Sequence, residues 1–203
     1  GGAARVAAAI NGAGGRAIGL PHDVGEESAW ERTVAAARET FGALDILVNN
    51  AGLGSGASIL DTSLDDWHRT MRVNLDGVFL GTRAAVAAMQ EAGGPRDPGR
   101  PDGAIVNVSS ILGLVGSVDV SAYSASKGAV RLFSKSMALE CAARSWRVRV
   151  NSVHPGYIDP PMVETGLERR ASRAETSVDA LKDDLVRLHP IGRLGRPVDI
   201  ANA

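Results

Sequence analysis

Leu44-Asp45-Ile46-Leu47-Val48-Asn49-Asn50-Ala51-Gly52 decides how the rest of the chain is read. Its first five residues form a short apolar run, the signature of a strand buried on both faces of a parallel sheet. The run then breaks into asparagines and a glycine, the composition of a loop leaving a strand's carboxyl end. On its N-terminal side, Glu26 to Thr40 carries Trp30, Val34 and Ala37 on one face and is stopped by Gly42, which predicts a helix. Before that, Ala17 to Leu20 reads as another short strand. It ends near Pro21-His22-Asp23-Val24, and an alanine-rich helix over Ala3 to Ile10 precedes it, stopped by Asn11-Gly12-Ala13-Gly14-Gly15.

On the C-terminal side, Ser63-Leu64-Asp65-Asp66 resembles a capping box and starts a helix whose apolar stripe runs from Trp67 and Met71 to Met89. A Gly/Pro/Arg-rich loop, Gly93 to Gly103, follows. Ala104 to Val108 is a third strand ending at Ser109-Ser110. A helix carrying Tyr123 comes next, then a fourth strand over Val148 to Val153 running into His154-Pro155-Gly156, and a helix around Ser177 to Leu188. Strands alternate with helices, and every strand-to-strand connection is long enough for a crossover. The expected architecture is α/β, a doubly wound parallel sheet with helices on both faces, formed as a single domain over residues 1–203. In such sheets ligands lie outside the carboxyl ends of the strands. Asp23, Asn49 to Gly52, Ser109-Ser110 and His154 to Gly156 all fall there.

Bulk composition narrows the function. The 203 residues are 44% hydrophobic with a net charge of -1, which argues against a strongly basic nucleic-acid binder or a polybasic membrane surface. Aromatic residues make up only 4%, too few for base-stacking platforms. One cysteine, Cys141, rules out an internal disulfide and a cysteine metal cluster, and a cytoplasmic setting follows most simply. No apolar run reaches the length of a membrane span, and the opening Gly1-Gly2-Ala3-Ala4-Arg5 has no secretory pattern. His22, His68, His154 and His189 lack metal-ligand spacing, so no metal is expected.

Within the helix that follows Ser110, Tyr123-Ser124-Ala125-Ser126-Lys127 places a phenol and an ammonium four residues apart, on one face. A fixed positive charge beside a tyrosine stabilises its phenolate, so the pair is a candidate general acid/base. Two glycine patterns are decoys. Gly12-x-Gly14-x-x-Ala17 precedes a strand instead of following one, and the helix after Gly52-x-Gly54-x-x-Ala57 begins too late to offer its N-terminus to a phosphate. Ser124-x-x-Lys127 matches a hydrolase motif but lacks its Ser-Asp-Asn and Lys-Thr-Gly companions.

Together, Asn49-Asn50-Ala51-Gly52 after a strand, Asn74 within a helix, Ser110, Tyr123-x-x-x-Lys127 and Pro155-Gly156 resemble the short-chain dehydrogenase/reductase family. The thirteen residues from Ser110 to Tyr123 are the family's usual spacing. The resemblance implies a Rossmann-like fold and an oxidoreductase that uses NAD or NADP on a small secondary alcohol or ketone, steroid-like substrates among them. It implies Tyr123 as the acid/base, and Lys127 lowering the tyrosine's pKa and binding the cofactor ribose. Ser110 would hold the substrate oxygen, and Asn74 a water of a proton relay. Asp23 and Val24 would lie by the adenine, Asn49, Ala51 and Gly52 along the cofactor cleft, and Pro155, Gly156 and Ile158 by the nicotinamide. A homotetramer built through the helices of Asp76–Met89 and Ser121–Ala143 is implied as well.

The chain departs from the family pattern in two places. The opening strand and its Thr-Gly-x-x-x-Gly-x-Gly turn are not in the sequence, nor is the last strand, so the sheet is expected to be incomplete at both ends. Pro160 stands where the family usually has a threonine that contacts the nicotinamide. The alternative expectation is therefore a truncated or degenerate member without a competent cofactor site, acting at most as a binding module.

Overall fold

The computed structural model describes residues 2–54, 56–91, 103–159, 171 and 176–203. The Gly93–Asp102 part of the expected loop and Pro160 lie outside them. Helix α1 spans Gly2–Gly12 and α2 spans Glu27–Phe41, which ends at Gly42 in the left-handed conformation (φ 89°). Strand β1 is Ile46–Asn49. Helix α3, Leu64–Met71, passes through a widened π-helical turn at Arg72–Asp76 into α4, Gly77–Glu91. Strand β2 is Gly103–Val108, followed by a 3-10 turn at Ile111–Gly113 and the long helix α5, Ser121–Ala143. Strand β3 is Val148–Val153, and α6 (Val178–Arg187) and α7 (Pro197–Ala201) close the described chain.

The start signals are those of the sequence. Ser63 accepts a hydrogen bond from the Asp66 N–H at 3.0 Å, and Ser177 from that of Ala180 at 3.1 Å. Caps of this kind are each worth about 1 kcal/mol.

The three strands are parallel in the order β1-β2-β3. Asn49 pairs with Asn107, and Val108 with Val153, so the three carboxyl ends emerge along one edge. The crossovers seat α4 and α5 on the same face. Ala85, Val86 and Met89 of α4 and Cys141 of α5 meet Ile105, Val148 and Val150, with Ile105 fully buried. Among the described residues the opposite face is open, with Ile46 64% and Val48 54% exposed.

Polar groups run through the covered face as well. The Asn49 side-chain amide donates to Asn107 Oδ1 at 2.8 Å, and the Asn107 amide donates to the Ser134 hydroxyl at 2.9 Å. This network fixes β1 and β2 against α5, because a one-residue slip would leave buried amides unpaired.

One expected strand does not form. Ala17 donates its N–H to Asn11 Oδ1 at 2.7 Å and accepts from the Asn11 amide at 3.1 Å. A Cβ on Gly19 would fall 2.7 Å from the Ala3 main chain. The segment folds back on α1, whose side chain takes the hydrogen bonds that a neighbouring strand would have made. The Asn11 carboxamide can do this because it carries both a donor and an acceptor.

Candidate active site

The site grows from the edge where β2 ends. Ser109 donates its N–H to Val153 O, and Ile111 to Pro155 O, both at 2.9 Å, so the two serines stay in ladder register with His154. Ser110 is buried, and its hydroxyl accepts from the Leu112 N–H at 3.1 Å, which starts the 3-10 turn. The His154 ring braces this strand end. Because a carbonyl only accepts, Nδ1–H donates to Ser110 O at 3.3 Å, and Nε2 then accepts from the Ser152 hydroxyl at 2.9 Å.

Helix α5 begins two residues before Tyr123 and carries Tyr123 and Lys127 on its face toward that strand end. Tyr123 is half-buried, and desolvation pushes its hydroxyl above the ordinary tyrosine value, partly opposed by hydrogen bonding with Ser110. Lys127 is buried, and desolvation lowers its amine to about 8. Its ammonium donates to Val108 O at 2.8 Å and lies 5.8 Å from the centre of the Tyr123 ring. The lysine's charge is directed at a strand carbonyl, and burial is the largest influence on the phenol.

Asn74 lies in the widened turn and is fully buried. Its amide donates to Leu53 O and to the Ser126 hydroxyl, both at 3.0 Å, and its Oδ1 accepts from the Leu53 N–H at 2.7 Å. Ser126 in turn donates to Tyr123 O at 2.7 Å. The side chain thus ties the Ala51-Gly52-Leu53 loop to α5 and has both amide hydrogens committed. π-turns of this kind recur at functional sites because the extra residue re-aims the chain.

Gly52 stands between the two: a Cβ there would lie 3.4 Å from Lys127 Nζ and 3.5 Å from Asn74 Oδ1. The absent side chain leaves room for one small group beside an ammonium with only one of its three N–H groups engaged among the described residues. Hydrogen-bond donors of this kind suit hydroxyl acceptors such as those of a ribose.

The structure therefore brings Gly52, Asn74, Ser110, Tyr123 and Lys127 together. The side chain of Asn49 turns inward to Asn107 and supports the sheet instead of the cleft. Asp23 and Val24 form a separate corner. Arg72, the first residue of the π-turn, donates to Asp23 at 2.9 Å and to Glu26 at 2.7 Å. Trp30 Nε1 donates to Val24 O at 2.8 Å, and Val24 packs against Gly77. Hydrogen bonding from Arg72 holds the Asp23 carboxyl below its ordinary value.

Gly156 and Ile158 continue from β3 into a loop pinned by its far side. Tyr157 donates its N–H to His189 Nε2 at 3.2 Å, and at an isolated bridge at Ile158 the Asp159 N–H donates to Gly195 O at 2.8 Å while the Gly195 N–H donates to Tyr157 O at 2.9 Å. A cleft of about 370 Å³ lies there, lined by Gly156, Tyr157, Ile158 and His189 among others, and neither Tyr123 nor Lys127 lines it.

Sequence reasoning did not find Ser126, His154 and Arg72 as supports of the site, and it placed Ser109 only at a strand end. The His154 Nδ1 bond and the Ser109 hydroxyl bond end on main-chain carbonyls, which carry no sequence signal.

The chain belongs to the short-chain dehydrogenase family, whose sequence model, described as short chain dehydrogenase, matches residues 1–171. Particular relatives follow from the same comparison. An NADP-dependent (R)-specific alcohol dehydrogenase of Lentilactobacillus kefiri is 41% identical over 185 residues, covering 90% of this chain and 66% of that protein. Cyclopentanol dehydrogenase of Comamonas testosteroni is 41% identical over 190 residues, covering 94% and 68%. A 3-alpha-(or 20-beta)-hydroxysteroid dehydrogenase of Mycobacterium tuberculosis is 39% identical over 180 residues, covering 89% and 59%. The chain thus spans about two-thirds of the length of the relatives it resembles. No helix among the described residues is long and apolar enough to cross a membrane.

Proposed function

We propose that this protein is an NAD(P)-dependent dehydrogenase that interconverts secondary alcohols and ketones, with Tyr123 as general acid/base. The observation that carries this is a half-buried Tyr123 phenol beside Ser110, one helical turn from the Lys127 ammonium, at the carboxyl ends of parallel strands. Ser110 donates its hydroxyl hydrogen to the substrate oxygen and orients it. In the reductive direction the Tyr123 O–H bond breaks and its proton passes to that oxygen. In the oxidative direction the phenolate takes the proton back from the alcohol. The nicotinamide, when bound, supplies or accepts the hydride at the substrate carbon. Lys127 and Gly52 hold the ribose, Asp23 and Val24 face the adenine, and Ala51, Pro155, Gly156 and Ile158 border the rest of the cofactor. Asn74 holds a water of the proton relay by its main-chain carbonyl, which accepts from that water, because its amide hydrogens are committed to Leu53 and Ser126.

A named relative acts on a hydroxysteroid and another on cyclopentanol, which favours bulky secondary alcohols. Exposed Phe79 of α4 and Leu132 and Leu139 of α5 suit a homotetramer packed through these helices, which sedimentation measures. The single buried cysteine suits a cytoplasmic setting.

Two experiments test the reading. Titration of the folded chain with NADH and NADPH, followed by nucleotide fluorescence, is expected to saturate and to name the preferred cofactor. Absence of binding to either would reduce the chain to a scaffold without nucleotide chemistry. Tyr123→Phe is expected to lower turnover by about 10³-fold or more with little change in melting temperature. Retained turnover would exclude Tyr123 as the acid/base.

A further inference from the structure

Lys127 is held at both ends by consecutive residues of one strand end. Its ammonium donates to Val108 O, and its own main-chain carbonyl accepts from the Ser109 hydroxyl, each at 2.8 Å. A single attachment would let α5 pivot about the end of β2, whereas two fix both its distance and its rotation. The joint has no slack. Ser109 is 3% exposed, and a Cβ at Gly113 would fall 2.7 Å from Lys127 O and 2.9 Å from Ser109 Oγ. Lys127 lies inside α5, where its carbonyl already accepts the helical hydrogen bond from four residues on. The Ser109 bond is thus not needed to satisfy that carbonyl. It determines where the root of the lysine side chain sits, and with it the Tyr123 ring one turn earlier.

We propose that Ser109 is a positioning residue of the active site, its hydroxyl fixing the α5 backbone at Lys127 so that the ammonium and the Tyr123 ring keep their separation. For its effect on turnover, this rests on Tyr123 and Lys127 being the proton-handling pair. For its effect on the lysine, it rests on the geometry alone.

The sequence makes the test simple. It holds three lysines, Lys127, Lys135 and Lys182, so isotope-labelled lysine ε-carbons give three signals to follow against pH in the full chain. Ser134→Ala is a matched control. Its buried hydroxyl, two turns further along the same helix, donates to Val130 O at 2.7 Å and accepts from the Asn107 amide at 2.9 Å, so its loss removes another tie between β2 and α5 that does not touch Lys127. Both Ser109→Ala and Ser134→Ala are expected to lose some thermal stability. Only Ser109→Ala is expected to move the Lys127 titration, upward by about half a pH unit as the loosened joint admits water, and to lower turnover by about tenfold. Ser109→Cys keeps the side-chain volume with a weaker donor, gives a smaller shift, and carries the test if the alanine variant does not fold. An unmoved Lys127 signal in the folded Ser109 variant, or the same shift in Ser134→Ala, overturns the proposal. Retained turnover in Tyr123→Phe would instead overturn the acid/base reading, and the lysine titration would still judge Ser109.

Discussion

Two corners of the cleft are secured in opposite ways. Around Lys127, almost every constraint is a buried hydrogen bond between uncharged partners or to a main-chain carbonyl: Ser109 to Lys127 O, Asn74 to Leu53 and Ser126, Asn107 to Ser134. Around Asp23, the constraint is an exposed guanidinium shared between two carboxylates. Buried bonds are directional and immune to salt, so they suit a place where atoms must meet within tenths of an ångström. Exposed ion pairs are screened and weakly specifying, which suits a corner whose proposed task is only to stay near the adenine. The nearer a residue lies to the proposed proton transfer, the less its placement depends on charge pairing.

This contrast can be broken or sharpened by substitution. The largest effect on stability is expected from Asn107→Ala, which strips both partners from a fully buried network and should cost about 3 kcal/mol in a denaturant titration. A cost near zero would mean that water replaces the amide and that the buried corner is less dry than its burial suggests. Next comes Lys127→Met. The amine titrates near 8 when folded and at its ordinary 10.5 when unfolded. Below about pH 8 both states bind the proton and the fold carries the full cost of burying it. Between these values only the unfolded chain binds it, so wild-type stability rises with pH. Lys127→Met is therefore expected to be more stable than wild type at pH 7, by about 2 kcal/mol, to lose activity, and to show no such rise between pH 8 and 10. A variant less stable at pH 7 would mean that the Val108 contact outweighs the burial cost.

Gly52→Ala should fold normally, since the added methyl meets only ordinary contact distances, and weaken nucleotide binding by about tenfold by filling the space beside the ammonium. Unchanged affinity would move the ribose elsewhere. Arg72→Ala should have the smallest effect, one that disappears in high salt. The Asp23 carboxyl is held below its ordinary value by Arg72, so the stabilisation is present above the ordinary carboxylate range and is lost as pH falls through the lowered folded value. A salt-independent loss in Arg72→Ala would show that packing against Gly25, not charge, holds that corner.

What the sequence made legible follows the range of the interactions. The helix starts at Ser63 and Ser177, the strand over Val148–Val153 and the stop at Gly42 rest on local chemistry and appear where expected. Ala17 to Leu20 has strand composition, but a strand exists only by its neighbour, and Asn11 supplies the bonds instead. Tyr123, Lys127 and Ser110 were recognisable because their spacing is a motif. The burial of the phenol was not, because spacing does not encode it. Asn74 is a poor helix former inside an apolar stripe, a local conflict of the kind that functional sites tolerate.

The turn that carries Asn74 holds one residue more than an ordinary helix needs, since the Gly77 N–H reaches back five residues to Arg72 O. Each residue in a helix turns the chain by about 100°. Deleting one residue between Arg72 and Asp76 would give a more regular helix and swing Asn74 out of register with Leu53 or α4 out of register with the sheet. The surplus residue works as a phase shifter. It lets one continuous helix face the Ala51-Gly52-Leu53 loop at its start and the hydrophobic core at its end, and a change in length here should cost more than a substitution at Val73 or Leu75.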